Sequence, residues 1–298
     1  MAKVTVPGVR TRKVRDGAAP LVMVTAYDAP GARIADEAGV DLILVGDSLA
    51  MVVLGHDDTL SVTIEEMAHH TRAVARAKPK PLVVGDLPWL SYHVSVEDTV
   101  RNAALLVRAG ATAVKLEGGA KRVPMVRALV DAEIPVMGHV GLTPQSINAM
   151  GGFRVQGKTV DAAQALVADA LALQEAGCFA IVLEGVPDTV AGLVTDALDL
   201  PTIGIGAGVA CDGQVLVMHD LLGLEDRITP TFVRRYADLR RTAIEAVAAY
   251  AADVRTGAFP DATESYHLQP DVAEALGLTG DAVDPEGPSD DIVHGLYG

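Results

Sequence analysis

Short apolar runs alternate along the chain with longer stretches whose apolar residues recur every three or four positions. The runs cover residues 21–27, 42–45, 82–84, 113–116, 136–137, 180–183, 202–205 and 215–218. Near-continuous aliphatic runs of this length suit strands buried on both faces, as in a parallel sheet. The intervening stretches carry helix signals. Thr63 with Glu66 forms a capping-box pattern, and Ser95 with Asp98 nearly repeats it ahead of Val96, Val100, Ala103, Ala104 and Val107. Gly39, Gly110 and Gly177 follow helical stretches and can take the left-handed cap conformation. Thr229-Pro230 opens a last long helix that runs to about Val254. Eight strand candidates alternating with helices predict an α/β fold, a (β/α)8 TIM barrel. The pattern alone leaves an open doubly wound sheet as the alternative, and the gap between Ile205 and Val215 is too short for a full helix.

Composition narrows the class. Of 298 residues, half are hydrophobic and 21% are charged, as in a globular protein rather than a disordered one. The barrel is expected over residues 1–268 as a single catalytic domain. Residues 269–298 contain seven acids and no Lys or Arg, with three prolines and five glycines. They read as a solvated acidic extension with one short helix around 272–276. The net charge of −15 argues against nucleic-acid or anionic-membrane partners. No apolar run approaches the roughly 18–20 residues that span a bilayer. The basic amino-terminus precedes too short an apolar stretch for a secretion signal. Cys178 and Cys211 are too few for a disulfide framework, so a cytoplasmic setting is expected.

Side chains at the carboxyl ends of barrel strands converge on one mouth. Here those ends carry Tyr27-Asp28, Gly46-Asp47-Ser48, Gly85-Asp86, Lys115 with Glu117, Gly138-His139 and Glu184. Asp28 is explained as a helix cap, since Pro30 and a helical pattern follow. A run of acids and bases closing successive strands is not explained by capping. Asp47, Asp86 and Glu117 are hard oxygen donors that favour Mg2+. A 2-oxo acid would chelate that ion and be converted to a stabilised enolate. Lys115, on the same face as Glu117, either pairs with the substrate carboxylate or makes a salt bridge to these acids. Glu184 is either the base that takes an α-proton or a further metal ligand. His139 is read equally as structural or catalytic. The glycines of 204–208 lack the spacing of a dinucleotide-binding loop and suggest close backbone packing. Cys178, beside Gly177 and Phe179, suggests a buried thiol.

Taken together, these segments resemble the ketopantoate hydroxymethyltransferase family. The resemblance rests on Thr25-Ala-Tyr-Asp28, Val45-Gly-Asp-Ser-Leu49, Gly55-His-Asp-Asp-Thr-Leu60 and Asp86-Leu-Pro88. It continues through Val114-Lys-Leu-Glu-Gly-Gly119, Gly138-His-Val-Gly-Leu-Thr-Pro-Gln145, Leu183-Glu184, Ile203-Gly-Ile-Gly-Ala-Gly208 and Asp212-Gly-Gln214. Ser61 stands where the family commonly has Pro, and Trp89 where it has Phe. The resemblance implies a barrel of the phosphoenolpyruvate/pyruvate type and a cytoplasmic homo-oligomer, typically a decamer. It implies Mg2+ held by Asp47 and Asp86, with Glu117 a further metal-site residue. Substrate binding would fall to Asp47, Ser48, Asp86, Lys115 and His139, and proton abstraction to Glu184. The implied reaction transfers a hydroxymethyl group from 5,10-methylenetetrahydrofolate to 3-methyl-2-oxobutanoate, giving 2-dehydropantoate for pantothenate synthesis. The residues alone also allow a magnesium-dependent lyase or aldolase acting on another 2-oxo acid without folate. A third possibility is a non-catalytic barrel binding an anion at 204–208.

Overall fold

The computed structural model describes residues 2–227 and 230–278. Within them, eight parallel strands close into a barrel in sequence order: β1 (Leu21–Thr25), β2 (Leu42–Val45), β3 (Leu82–Asp86), β4 (Ala113–Lys115), β5 (Val136–Gly141), β6 (Ala180–Glu184), β7 (Thr202–Ile205) and β8 (Gly213–Leu216). Closure rests on the β8–β1 pairing, from Leu21 opposite Gly213 to Val24 opposite Leu216. That pairing excludes the open sheet. Helices α1 (Ala29–Glu37), α2 (Ile64–Arg76), α3 (Val96–Ala109), α4 (Val123–Asp131), α5 (Val160–Ala176) and α6 (Asp188–Ala197) follow the first six strands. The caps are those the sequence suggests. Thr63 and Glu66 form the reciprocal box at α2, and Ser95 accepts from the Asp98 N–H at α3. Asp28 caps α1, and Gly39, Gly110 and Gly177 all have positive φ.

Period-two alternation divides the apolar side chains between two layers. Met23, Leu42, Leu44, Leu82, Val84, Ala113, Met137, Val182, Ile203 and Val215 fill the barrel interior. Their neighbours Val24, Ile43, Val45, Val83, Val114, Val140, Ile181 and Leu183 pack with the helices. Extended toward the carboxyl ends, the interior rows reach Asp86 on β3, Lys115 on β4, His139 on β5 and Glu184 on β6. Alternation therefore aims these side chains into the mouth.

At the other end, the seam of the barrel is locked by Lys13. Its buried Nζ donates to the Thr195 and Leu200 carbonyls and pairs with Asp212 Oδ2 at 2.7 Å. Asp212 also accepts from the N–H groups of Val14 and Thr202.

Several strand ends differ from expectation, among them that of β5, which runs on through His139 to Gly141, and two differences bear on the architecture. β8 begins at Gly213 rather than 215, because hydrophobicity misses the glycine that the closure requires. A Cβ there would lie 2.6 Å from the Leu21 carbonyl oxygen. The last long helix, α7 (Leu239–Thr256), starts at the Asp238 cap and not at Thr229-Pro230. Asp238 supplies the side-chain acceptor to the Arg241 N–H, while Pro230 and Phe232 line the barrel mouth. Thr229 itself lies outside the described residues.

By packing, the chain divides into a unit Met1–Ala237, which holds every strand, and a unit Asp238–Gly298. The second contains α7 and the short α8 (Pro270–Ala275), the latter where a short helix is expected. Residues 279–298 of the expected acidic extension lie outside the described residues. Among the described residues, no helix is long and apolar enough to cross a membrane.

Candidate active site

The seven residues singled out at the strand ends, Asp47, Ser48, Asp86, Lys115, Glu117, His139 and Glu184, all line one cavity of about 460 Å3 at the barrel mouth. Strand register explains the closest pair. Asp86 and Lys115 are direct partners across β3 and β4, and Lys115 Nζ lies 2.8 and 2.7 Å from the two Asp86 oxygens. The salt bridge to these acids is thus present, and Lys115 also lines the cavity. Glu117 follows two residues later, with Oε1 3.7 Å from Lys115 Nζ and 3.4 Å from His139 Nδ1. On its other side, His139 Nε2 lies 3.4 Å from Glu184 Oε2. His139 thus stands between two carboxylates.

The electrostatics follow from this crowding. Burial pushes Asp47 well above the usual carboxylate range, and the neighbouring charges of Asp86 and Glu117 add to that. Asp86 is raised by burial too, although Lys115 opposes the shift. Burial would also raise Glu117, but His139, Lys115 and the Gln145 N–H hold it low. Lys115 stays protonated because Asp86, Glu117 and Asp47 outweigh the burial that opposes its charge. Burial lifts Glu184 to about 7, the range in which a carboxylate can take and return a proton near neutrality.

The remaining candidates resolve simply. Ser48 Oγ lies 2.8 Å from the Tyr27 hydroxyl, which fixes it at the cavity wall. Glycines 206 and 208 are packed against other groups. A Cβ at Gly206 would meet the Phe232 ring at 2.7 Å, and one at Gly208 would meet Asp188 at 2.4 Å. Close packing accounts for them. Cys178 is buried and its thiol is pushed up to about 12, so it carries no thiolate.

Two residues that strand-end reasoning passed over complete the site. Gln145 ends the segment that begins at Gly138, and its Nε2 donates to Asp47 Oδ2 at 2.8 Å. Tyr92 donates its hydroxyl to Gln145 Oε1 at 2.6 Å. Gln145 was legible only as part of a motif. Nothing in the sequence marks Tyr92.

The donor set suits a divalent cation. Asp47 and Asp86 are hard oxygen donors whose protonation is raised chiefly by burial, with Glu117 adding to the shift and Lys115 opposing it. Among the described residues, no group of three or more His, Cys, Asp or Glu is disposed to hold an ion unaided. Mg2+ ordinarily takes one or two carboxylates and completes its shell with waters and substrate oxygens.

The chain is similar to known proteins in both sequence and fold. The family model described as ketopantoate hydroxymethyltransferase matches residues 3–262. The 3-methyl-2-oxobutanoate hydroxymethyltransferase of Syntrophobacter fumaroxidans is 58% identical over 279 residues, spanning 93% of this chain and 97% of that one. The enzyme named 3-methyl-2-oxobutanoate hydroxymethyltransferase 2 from Bradyrhizobium diazoefficiens is 55% identical over 276 residues, 93% and 94% of the two chains. Among solved structures, phosphonopyruvate hydrolase in complex with oxalate and Mg2+ superposes with a TM-score of 0.57 at 16% identity, covering 93% of this chain and 95% of that one. A 2,3-dimethylmalate lyase of the phosphoenolpyruvate mutase/isocitrate lyase superfamily gives 0.54 at 18%, covering 92% and 95%. These likenesses establish the barrel type, and the matches in sequence go further: the chain belongs to the ketopantoate hydroxymethyltransferase family.

Proposed function

We propose that this enzyme transfers the one-carbon unit of 5,10-methylenetetrahydrofolate to 3-methyl-2-oxobutanoate, forming 2-dehydropantoate. The observation that carries the reading is a partly buried Glu184, its carboxyl raised, facing a cluster of Asp47, Asp86 and Lys115 across one cavity. Asp47 and Asp86 would hold Mg2+, with Glu117 acting through water. A neighbouring protein of this barrel type that binds oxalate and Mg2+ supports the pairing of such an ion with a small oxo-acid-like anion. When bound, the ion supplies Lewis acidity at the oxo group.

The chain's own residues do the rest. Lys115 and Ser48 orient the substrate carboxylate. Glu184 takes the proton from C3, and His139 beside it is placed to stabilise the carboxylate before transfer and to face the arriving hydroxymethyl group. C3 then bonds to the one-carbon unit, and both of that carbon's bonds to folate nitrogens break. Water provides the hydroxyl oxygen, and its remaining proton and the one from C3 end on the two nitrogens. The reading includes a cytoplasmic homo-oligomer and a catalytic domain over residues 1–268 with an acidic extension.

In an assay with Mg2+, oxo acid and methylenetetrahydrofolate, Glu184→Gln is expected to lose turnover while retaining Mg2+ binding. Normal turnover by that variant would reject Glu184 as the base. Product formed without any folate donor would instead indicate a lyase or aldolase.

A further inference from the structure

The segment 138–145 contributes more than His139. Its last residue, Gln145, is buried at 4% exposure and does not line the cavity, yet four of its polar contacts join the loops that carry the carboxylates. Nε2 donates to Asp47 Oδ2 at 2.8 Å and to the Leu87 carbonyl at 3.0 Å. The backbone N–H donates to Glu117 Oε2 at 3.1 Å. Oε1 accepts from the Tyr92 hydroxyl at 2.6 Å.

The direction of every bond is forced by chemistry. The Leu87 carbonyl can only accept, so the NH2 end of the amide must face it and, with it, Asp47 Oδ2. The Tyr92 oxygen already accepts from the Glu117 N–H at 3.1 Å, and its one proton goes to Oε1. Tyr92 is itself wholly buried, with its ring packed on His93 and beneath the Arg122 guanidinium. The relay therefore runs from the Glu117 backbone just after β4 through Tyr92 and Gln145 to Asp47 after β2, with the segment after β5 as its bridge.

We infer that Gln145, held in one orientation by Tyr92, is the positioning residue that aims Asp47 and Glu117 at the metal and oxo-acid site. The inference rests on the proposed function. Its specific content is that Tyr92, which does not line the cavity, acts through Gln145. Partners that orient metal ligands typically contribute 10–100-fold in affinity or activity. Asparagine is one methylene too short to reach both Asp47 and Tyr92.

Mg2+ binding by calorimetry, together with kcat and the oxo-acid KM at saturating Mg2+, tests this on the full-length enzyme. Gln145→Leu is expected to weaken Mg2+ binding by about tenfold or more, and Gln145→Asn not to rescue it. Tyr92→Phe keeps the ring packing and removes only the hydroxyl. It is expected to weaken Mg2+ binding by several-fold, and to add little in the Gln145→Leu background, because coupled residues are non-additive. A purely structural role would lower the melting temperature but leave the Mg2+ affinity of folded protein unchanged. Wild-type Mg2+ affinity in Tyr92→Phe, or full additivity in the double variant, would overturn the inference even if Gln145→Leu failed to fold. Wild-type enzyme that neither binds Mg2+ nor turns over would instead sink the functional reading itself.

Discussion

Replacing Glu184 by Gln should make the folded protein more stable at alkaline pH while it removes activity. The folded state lifts this carboxyl from 4.5 to about 7, chiefly by burial, with Glu117 and Asp86 adding to the shift and His139 and Lys115 opposing it. A carboxyl raised in the folded state keeps a proton that the unfolded chain releases. Its contribution to stability is complete below 4.5 and is lost as pH rises through about 7. Between about pH 5 and about pH 8, proton linkage makes that loss about 2.5 kcal/mol. Gln cannot ionise, so the variant avoids it. Urea unfolding of metal-free protein in the presence of a chelator reads the effect directly. The two proteins should be close near pH 5, and the variant more stable near pH 8 by about 2–3 kcal/mol. A variant no more stable than wild type near pH 8 would refute the argument, because the ionised carboxylate would then not be strained. The active enzyme should show the mirror image, with kcat/KM falling on the acid side as Glu184 takes up its proton. A cation bound nearby favours the carboxylate and should move that limb to lower pH.

Three further outcomes follow from particular contacts. Lys13→Met leaves Asp212 charged and buried and takes the donor from two carbonyls, so unfolding free energy should fall by about 3–5 kcal/mol, measured by urea denaturation. A loss below about 1 kcal/mol would show that Val14 and Thr202 suffice to hold Asp212. Gly141→Ala forces a side chain onto a φ of +99° and puts its Cβ 2.3 Å from the Glu184 carbonyl oxygen, so the β5–β6 edge must shift. Its kcat should drop about tenfold or more, and Mg2+ affinity should weaken with it, because the same segment carries Gln145 to Asp47 and Glu117. Mg2+ affinity itself should weaken on acidification from a higher pH than an ordinary carboxylate would give, because burial and Asp86 raise Asp47. Calorimetry showing constant affinity into the acid range would contradict Asp47 as a ligand.

The residues at the strand ends were legible because a parallel barrel obeys two local rules. Alternation decides which side chains point inward, and the carboxyl ends of the strands meet at one mouth. Asp86, Lys115, His139 and Glu184 each sit in an interior row, so their convergence needed no knowledge of long-range contacts. The capping of Thr63, Ser95 and Asp28 was readable for the same reason, since the partner lies three residues away.

The alternation of strands and helices, the inward rows and the chemistry of the groups they carry are thus already written in the linear chain. Tertiary structure decided barrel closure, which depends on Gly213 meeting Leu21 across nearly two hundred residues of chain. The start of α7 is by contrast a local matter, since Asp238 accepts from the Arg241 N–H three residues on, and the Thr229-Pro230 step only competes with it as a start signal. Above all, tertiary structure decided the Tyr92–Gln145–Asp47 relay, whose members are 53 and 98 positions apart. Hydrogen bonds between residues so far apart leave no periodicity behind. They exist only once the closed barrel has brought neighbouring strand ends within reach of one another.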